Sequence, residues 1–245
     1  MAASDLPAAD AAALKQRVVG FVRPLASAST TTAFGGLVDA AASATGTASP
    51  VTGTAISVSR STSLMTAGAS VTLSTRLTTS GGAAMPGRPA VLLRYTAGSS
   101  GWVQACSTTT STAGTAWCSQ KPVYSTGYMW HFPGAPGFAA SWSPYPTVQV
   151  RPGISAALSP SVIGLGGTAK FYGIVSPNRS GVTVRLQSWY NGQWVTVART
   201  RVNSTSRYSF TLKPGARAKQ TLRVYFSGDS RNAAQSTSVR YLTIV

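Results

Sequence analysis

The chain has 245 residues, of which 43% are apolar and only 10% charged, so it can form one large domain or two typical ones and is not wholly disordered. Its charge is one-sided, with 21 Lys and Arg against four Asp, no Glu and a net charge of +17. It has no run of 18 apolar residues, so the sequence predicts no membrane-spanning helix.

Residues 1–49 differ in composition from the rest of the chain. Asp5 and Pro7 can begin a helix, and Leu14 and Val22 lie on one face of it, before Pro24 ends it. The stretch that follows is rich in Ala, Ser, Thr and Gly and predicts a linker, with a second short helix over residues 34–42. Because the start is acidic and the apolar run short, this is a poor secretory signal. We therefore expect a fragment of a longer secreted protein, or a different true start.

After Pro50 the apolar residues alternate with polar ones, which predicts short half-buried strands separated by turns. Such strands, about ten residues apart, are typical of a β-sandwich or barrel. The residues predicted to face inward are Val71, Leu73, Leu77, Val91, Leu93, Val184, Leu186, Leu222, Val224 and Phe226.

An internal repeat organises this region. Residues 56–77 align with residues 154–175 without a gap, and further matches continue to the end of the chain. Val91 and Leu93 are aligned with Val184 and Leu186 in this comparison. Each copy has about seven strand candidates, the number in an immunoglobulin-like (Ig-like) sandwich. The sequence therefore predicts an all-β protein with a helical or linker segment (1–49), a first Ig-like sandwich (50–150) and a second (151–245), joined at Arg151-Pro152-Gly153.

Four motifs of the second copy carry a family resemblance. They are Gly181-Val182-Thr183-Val184-Arg185-Leu186-Gln187, Asn191-Gly192-Gln193-Trp194, Tyr208-Ser209-Phe210 and Leu222 to Asp229. These motifs resemble the Ig-like repeats of secreted and wall-associated proteins of high-GC Gram-positive bacteria. The resemblance implies a stalk, spacer or binding module beside other domains, and no enzymatic activity.

Catalytic groups are scarce between residues 50 and 245, which contain one His, one Asp and no Glu. A Ser-His-Asp triad would need His131 and Asp229, which belong to different copies, and alternation turns His131 away from the core. Paired-carboxylate hydrolysis, zinc and calcium sites lack the necessary side chains. We expect no catalytic residue, no metal and no cofactor.

The two cysteines, Cys106 and Cys118, fall on successive strands joined by a turn rich in Ser, Thr and Gly. Facing positions on adjacent strands can form a disulfide, which we expect here within one sheet. Two buried free thiols are the alternative. A disulfide would indicate an oxidising, extracytoplasmic compartment.

Exposed aromatic rings can stack on sugars or peptides. The candidates are Trp189 and Tyr190, beside the Asn191-Gly192 turn, and Trp142 and Tyr145, in a Pro-rich loop. Trp102 and Trp194 match between the copies, so we expect them in the core or packed in a hairpin.

Positive charge is concentrated in residues 151–245, which carry thirteen Lys and Arg against one Asp. The candidate polyanion-binding residues are Arg185, Arg199, Arg201 and Arg223. A cell-wall polymer or glycan suits this charge better than nucleic acid, because the chain has no nucleic-acid-binding motif. A general effect of the charge on solubility is the alternative.

Together these features favour a non-catalytic structural or adhesive spacer, extracellular or associated with the cell wall. Its partners would be a larger parent polypeptide or surface protein. Carbohydrate binding and cell-wall polyanion binding are the alternatives.

Overall fold

The structure, a computed structural model, describes residues 51–245 together with Val22–Pro24 and Gly36–Val38. Its described elements are all strands, and none of the described residues belongs to a helix that could span a membrane. β1 (Val22–Pro24) pairs with β2 (Gly36–Val38) in antiparallel fashion. Strands thus occupy the end of the first predicted helix and the middle of the second, since valine favours strands and glycine disfavours helices. The rest of both predicted helices lies outside the described residues.

The first sandwich has a smaller and a larger sheet. In the smaller sheet β6 pairs with β3 and β4 on one side and with β9 on the other. The larger sheet has the order β5-β12-β10-β7-β8, and β11 also pairs with β10. These strands are β3 (Thr54–Ile56), β4 (Ser59–Arg60), β5 (Leu64–Thr66), β6 (Val71–Thr79), β7 (Pro89–Thr96), β8 (Val103–Thr109), β9 (Thr115–Gln120), β10 (Thr126–Phe132), β11 (Ser141–Trp142) and β12 (Thr147–Arg151).

The second sandwich repeats this arrangement strand for strand. β16 pairs with β13, β14 and β19, and the larger sheet has the order β15-β22-β20-β17-β18 with β21 beside β20. In the larger sheets β5 runs parallel to its neighbour β12, and β15 runs parallel to its neighbour β22. The other pairs are antiparallel. The all-β, tandem Ig-like prediction is confirmed. The strands are β13 (Gly153–Ile154), β14 (Ala157–Ser159), β15 (Val162–Ile163), β16 (Ala169–Ser176), β17 (Thr183–Tyr190), β18 (Gln193–Arg201), β19 (Arg207–Leu212), β20 (Ala218–Phe226), β21 (Gln235–Ser236) and β22 (Arg240–Ile244).

Each sandwich has its own hydrophobic core between its two sheets. The first core is centred on Trp130, Phe132 and Leu73, and the second on Phe171 and Leu186. Each such side chain, when fully buried, stabilises the folded sandwich by about 1.5–3 kcal/mol. The predicted inward residues of β6, β17 and β20 are all buried: Val71, Leu73, Leu77, Val184, Leu186, Leu222, Val224 and Phe226. The predicted boundaries at residues 50 and 151 stay a prediction.

The inward residues predicted for β7 are wrong by one position. Ala90 and Leu92 are fully buried, whereas Val91 and Leu93 lie on the outer side and are half-buried. Leu92 pairs with Trp130 across the sheet, as Leu186 pairs with Val224 in the second copy. The correct equivalent of Leu186 is therefore Leu92. Because side chains alternate along a strand, a shift of one residue exchanges the two faces.

Candidate binding surfaces

Cys106 and Cys118 form the predicted disulfide, with their Cα atoms 6.5 Å apart. The prediction that it lies within one sheet is wrong. Cys106 is on β8, which pairs with β7 in the larger sheet, and Cys118 is on β9, which pairs with β6 in the smaller sheet. The turn between them crosses from one sheet to the other, so the bond ties the two sheets together.

His131 lies on the outer side of β10, as alternation predicts, between the buried Trp130 and Phe132. Its imidazole stacks on the Trp142 ring with the centroids 3.6 Å apart, and burial lowers the pKa of His131 below its ordinary value. Asp229, the other member of the hypothetical triad, is in the second sandwich and pairs with Arg179. No group of three His, Cys, Asp or Glu that could hold a metal occurs in the part of the chain that the structure describes.

The outer face of the larger sheet in the first sandwich is covered by aromatic rings, and we call it the aromatic face. Trp102 lies against Gly127, and its ring centroid is 5.8 Å from that of Tyr95 and 5.7 Å from that of Tyr145. The stacked pair of His131 and Trp142 lies on the same side of the sheet. Trp142 and Tyr145, which the sequence singled out, are exposed. Trp102 is at the surface, where it packs on Tyr95 across the β7–β8 hairpin, so of the two expected positions it has the hairpin one and not the core one.

The equivalent face of the second sandwich carries arginines, and we call it the basic face. In the β17–β18 ladder Arg185 lies directly opposite Arg199, and Thr183 lies opposite Arg201. Arg223, on the neighbouring β20, lies opposite Gln187. Because residues opposite each other in a ladder point to the same side, these side chains share one face. The structure thus brings together the four arginines that the sequence singled out: Arg185, Arg199, Arg201 and Arg223.

One end of the basic face is aromatic. Trp189 pairs with Trp194 across the hairpin, with centroids 5.1 Å apart, and 47% of Trp189 is exposed. The guanidinium of Arg223 lies 4.0 Å from the Trp194 ring centroid, and its Nε donates a hydrogen bond to Gln187 Oε1 at 2.9 Å. Tyr190 is exposed as predicted but alternates to the other side of β17. Trp194, which packs against Trp189 across the hairpin, has the hairpin-packing role that was expected.

A third feature is the joint between the sandwiches, formed by the loop between β20 and β21. Asn232 in this loop is only 1% exposed, and its Nδ2 donates hydrogen bonds to the carbonyl oxygens of Val123 (3.2 Å) and Val150 (3.1 Å). The Ala233 amide also donates to the Val150 carbonyl, at 2.9 Å. The second sandwich thus holds the backbone of the first at Val123, at Val150 and at Ser125, whose amide donates to the Arg231 carbonyl at 2.7 Å.

Tyr124 of the first sandwich lies between two arginines of the second. The guanidinium carbons of Arg179 and Arg231 are 5.7 Å and 5.6 Å from its ring centroid. Asp229 pairs with Arg179 and accepts hydrogen bonds from the backbone amides of Arg231 and Asn232. The loop is therefore shaped by Asp229 and positioned against Tyr124. Cation–π contacts of this kind contribute about 0.5–2 kcal/mol each.

The sequence did not identify the joint residues or Tyr95, which lies on the aromatic face. The boundary at Arg151-Pro152-Gly153 stays a prediction, and nothing in the sequence assigns Asn232 to a carbonyl 82 residues away. Tyr95 follows an apolar run that is compatible with either face of β7. A correct register for β7 would have placed Tyr95 beside Gly127 on the outer side.

Comparisons with known proteins give structural likenesses only. No protein-family model matches the chain, and no curated protein matches it in sequence. The human OSCAR ligand-binding domain is 17% identical, with a TM-score of 0.30 over 78% of this chain and 98% of that one. A tetra-tandem repeat from the extending region of a large adhesion protein is 18% identical, with a TM-score of 0.40 over 77% of this chain and 50% of that one.

The Yersinia pseudotuberculosis adhesin InvE is 7% identical, with a TM-score of 0.39 over 77% of this chain and 58% of that one. The chain spans about half the length of these two adhesin structures. Because each TM-score is below 0.5, the Ig-like assignment rests on the strand order and register described above.

Proposed function

We propose that this chain is a non-catalytic, extracellular structural or adhesive module that extends or attaches a larger secreted protein at the bacterial cell surface. The observation that carries this proposal is the joint, in which Asn232 and Tyr124 hold two Ig-like sandwiches against each other. A spacer must keep its ends apart, and fixed contacts between successive modules serve that purpose. Flexible linkers would allow the modules to fold back on each other.

The joint reuses a contact that each sandwich makes with the chain entering it. In the first sandwich the Ala139 amide donates to the Thr52 carbonyl at 3.0 Å. In the second, the Ala233 amide donates to the Val150 carbonyl at 2.9 Å. Thr52 and Val150 each lie four residues before the equivalent Ile56 and Ile154. The incoming segment of the second sandwich is β12 of the first, so repetition of the module itself builds the joint.

The disulfide and the sequence resemblance support the cell-surface setting. A disulfide that ties two sheets persists in an oxidising compartment, and cytosolic reductants would keep these thiols reduced. The motifs of the second sandwich resemble wall-associated repeats of high-GC Gram-positive bacteria. The shortage of carboxylate and imidazole groups supports a non-catalytic role.

The proposal is tested by the distance distribution between the two sandwiches. The native cysteines are bonded, so spin labels can be attached at Thr112→Cys and Gln193→Cys, both of which are exposed. Electron–electron double resonance on the full chain should give one narrow distribution. Asn232→Ala combined with Tyr124→Ala should broaden it, and the matched exposed-site control Asn178→Ala should not. A broad distribution in the unaltered chain would contradict a spacer role.

Attachment to the surface is tested separately, by sedimentation of the full chain with isolated Gram-positive cell walls. Retention on walls supports an adhesive module, whereas a narrow distance distribution without retention leaves a spacer. Hydrolysis of wall polymers that disappears in His131→Ala would refute the non-catalytic assignment.

The aromatic face supports a second candidate function, binding of a neutral carbohydrate. Trp142 and Tyr145 are exposed, and rings of this kind can cover the apolar faces of sugars. A glycan array should then show hits that Trp142→Ala and Tyr145→Ala each weaken. Hits that survive both substitutions but are lost in Trp189→Ala would assign binding to the second sandwich instead.

A further inference from the structure

We infer that the basic face of the second sandwich binds an anionic sugar polymer, with the arginines contacting its charged groups and Trp189 stacking on a sugar ring. This inference names the partner of the adhesive module proposed above and rests on that extracellular role. It requires a surface with uncompensated charge, a sugar-stacking ring on the same surface, and a spacing that suits a repeating polymer.

No carboxylate side chain of residues 51–245 neutralises the charge on this face. Between residues 51 and 245 Asp229 is the one acidic side chain, and it pairs with Arg179 at the joint. Arg185 lies directly opposite Arg199 on the neighbouring strand, an arrangement of like charges that destabilises a sheet. A bound anion would offset this repulsion. A face that carries destabilising charge is expected where function requires it.

The geometry suits a linear polymer better than a single small anion. Neighbouring strands lie about 4.8 Å apart, and residues on the same side of one strand lie about 7 Å apart. Arg185, Arg199 and Arg201 occupy such positions on β17 and β18, and Arg223 extends the row to β20. Guanidinium groups can bind phosphate, sulfate or carboxylate through paired hydrogen bonds. The face therefore presents several anion contacts at intervals of a few ångströms.

The aromatic end favours a sugar polymer over nucleic acid. Trp194 is covered by the Arg223 guanidinium, so Trp189 is the ring of this pair that is free to stack. Nucleic-acid strands are typically bound by several successive stacking rings. The disulfide in the same chain indicates an extracytoplasmic compartment, which disfavours nucleic acid as the partner. One stacking ring beside a row of arginines fits a chain of sugars that carries regularly spaced charges.

The test compares two variants of the full chain that lose the same charge. Arg185→Gln/Arg199→Gln/Arg201→Gln removes three charges from the basic face. Lys170→Gln/Arg207→Gln/Lys213→Gln removes three exposed charges from elsewhere in the same sandwich. With dextran sulfate as the probe, the first variant should lose affinity at least tenfold and the second should stay within twofold. Unaltered protein should lose affinity roughly tenfold or more between 50 and 200 mM salt and should not bind neutral dextran.

Further measurements distinguish a specific binding face from an effect of net charge alone. Because Arg185 and Arg199 repel each other, the basic-face variant should unfold at the same or a higher temperature than the unaltered chain while losing binding. Trp189→Ala should weaken dextran sulfate binding severalfold and leave inorganic polyphosphate binding unchanged. Equal losses in both triple variants would show that only net charge matters. A Trp189→Ala variant that binds dextran sulfate normally would contradict stacking of Trp189 on a sugar ring.

Failure of this inference and failure of the proposed function give different results. If the basic-face variant still sediments with cell walls like the unaltered chain, the partner lies elsewhere and the adhesive role stands. If an oligonucleotide of matched charge binds more tightly than dextran sulfate and its binding is lost in the basic-face variant, the face is a nucleic-acid site. That outcome would also contradict the extracellular assignment.

Discussion

The outer faces of the two larger sheets differ far more than the sheets that carry them. Both have the same strand order, and both have a bulge at the same place: Ala105 of β8 is the extra residue opposite Leu92 and Leu93, and Val197 of β18 is the extra residue opposite Leu186 and Gln187. One face presents stacked rings such as His131 and Trp142, and the other presents Arg185 opposite Arg199. The inward residues and the turns maintain the scaffold, so the outward residues can change without altering it. The sandwiches are therefore copies in structure that need not share a ligand.

The largest effect is expected from truncating the inward leucines. Leu92→Ala should lower the free energy of unfolding of the first sandwich by about 2–5 kcal/mol, because Leu92 is fully buried and truncation leaves a cavity. Leu186→Ala should do the same to the second sandwich. Hydrogen-exchange mass spectrometry measures the stability of each sandwich separately, since its peptides report on their own strands.

Leu93→Ala is the matched control, one residue away on the same strand. Leu93 is half-buried on the outer side, so we expect a loss of about 1 kcal/mol or less. A larger loss from Leu93→Ala than from Leu92→Ala would restore the register in which Val91 and Leu93 face inward, and with it the original alignment of the copies.

This register shows how far the sequence predicts the fold. In β17 the apolar Val184 and Leu186 are separated by Arg185, so only one face can be inward. In β7 the run Ala90 to Leu93 is apolar throughout, so alternation cannot choose a face. The outer face of the first sandwich is itself apolar and aromatic, which is why the pattern fails there. Strand order and the repeat follow from local patterns, and they were predictable.

The candidate sites were predictable to the extent that they lie on one strand or one turn. Arg185 and Arg223 were identified because their apolar neighbours indicate an inward side, and Arg199 and Arg201 because they add to the positive charge of the same copy. The Asn191-Gly192 turn identified the exposed Trp189. The joint depends on contacts between residues such as Asn232 and Val123, which are 109 positions apart. The inter-sheet position of the disulfide likewise depends on which neighbours β8 and β9 pair with. No local pattern contains that information.

The next largest effect is expected from removing the disulfide, which is present in the first sandwich alone. Cys106→Ala/Cys118→Ala should lower the free energy of unfolding of the first sandwich by about 3 kcal/mol, the value for closing a loop of this size. The second sandwich has Ala198 opposite Leu186 and Phe210 opposite Phe171 at the equivalent positions, so its sheets are held by packing. Its stability should not change.

Reduction of the unaltered chain with dithiothreitol provides the control. It should destabilise the first sandwich by a similar amount and have no further effect on the double variant. An equal loss of stability in both sandwiches would mean that the joint couples their unfolding. In that case the two sandwiches would unfold as one cooperative unit and not as two separate cores.

The smallest effect concerns pH and the one histidine of the chain. Burial lowers the pKa of His131 below 6.5, so the unfolded chain binds a proton more readily than the folded one. Stability of the first sandwich should therefore be fully present above pH 6.5 and fall as the pH drops from 6.5 towards the lower folded value. His131 pairs with Val91 on one side and with Trp142 on the other, and neither side chain carries a charge that could reverse this direction.

The second sandwich contains no histidine, the one side chain whose ordinary charge change falls between pH 5 and 8, so its stability should be constant over that range. Hydrogen exchange at pH 5.5 and pH 7.5, corrected for the intrinsic exchange rate, measures this difference, and His131→Gln should abolish it. A first sandwich that becomes more stable at pH 5.5 would mean that the imidazolium is favoured against Trp142. The aromatic face would then carry a positive charge as the basic face does, and the two faces would differ only in their aromatic rings.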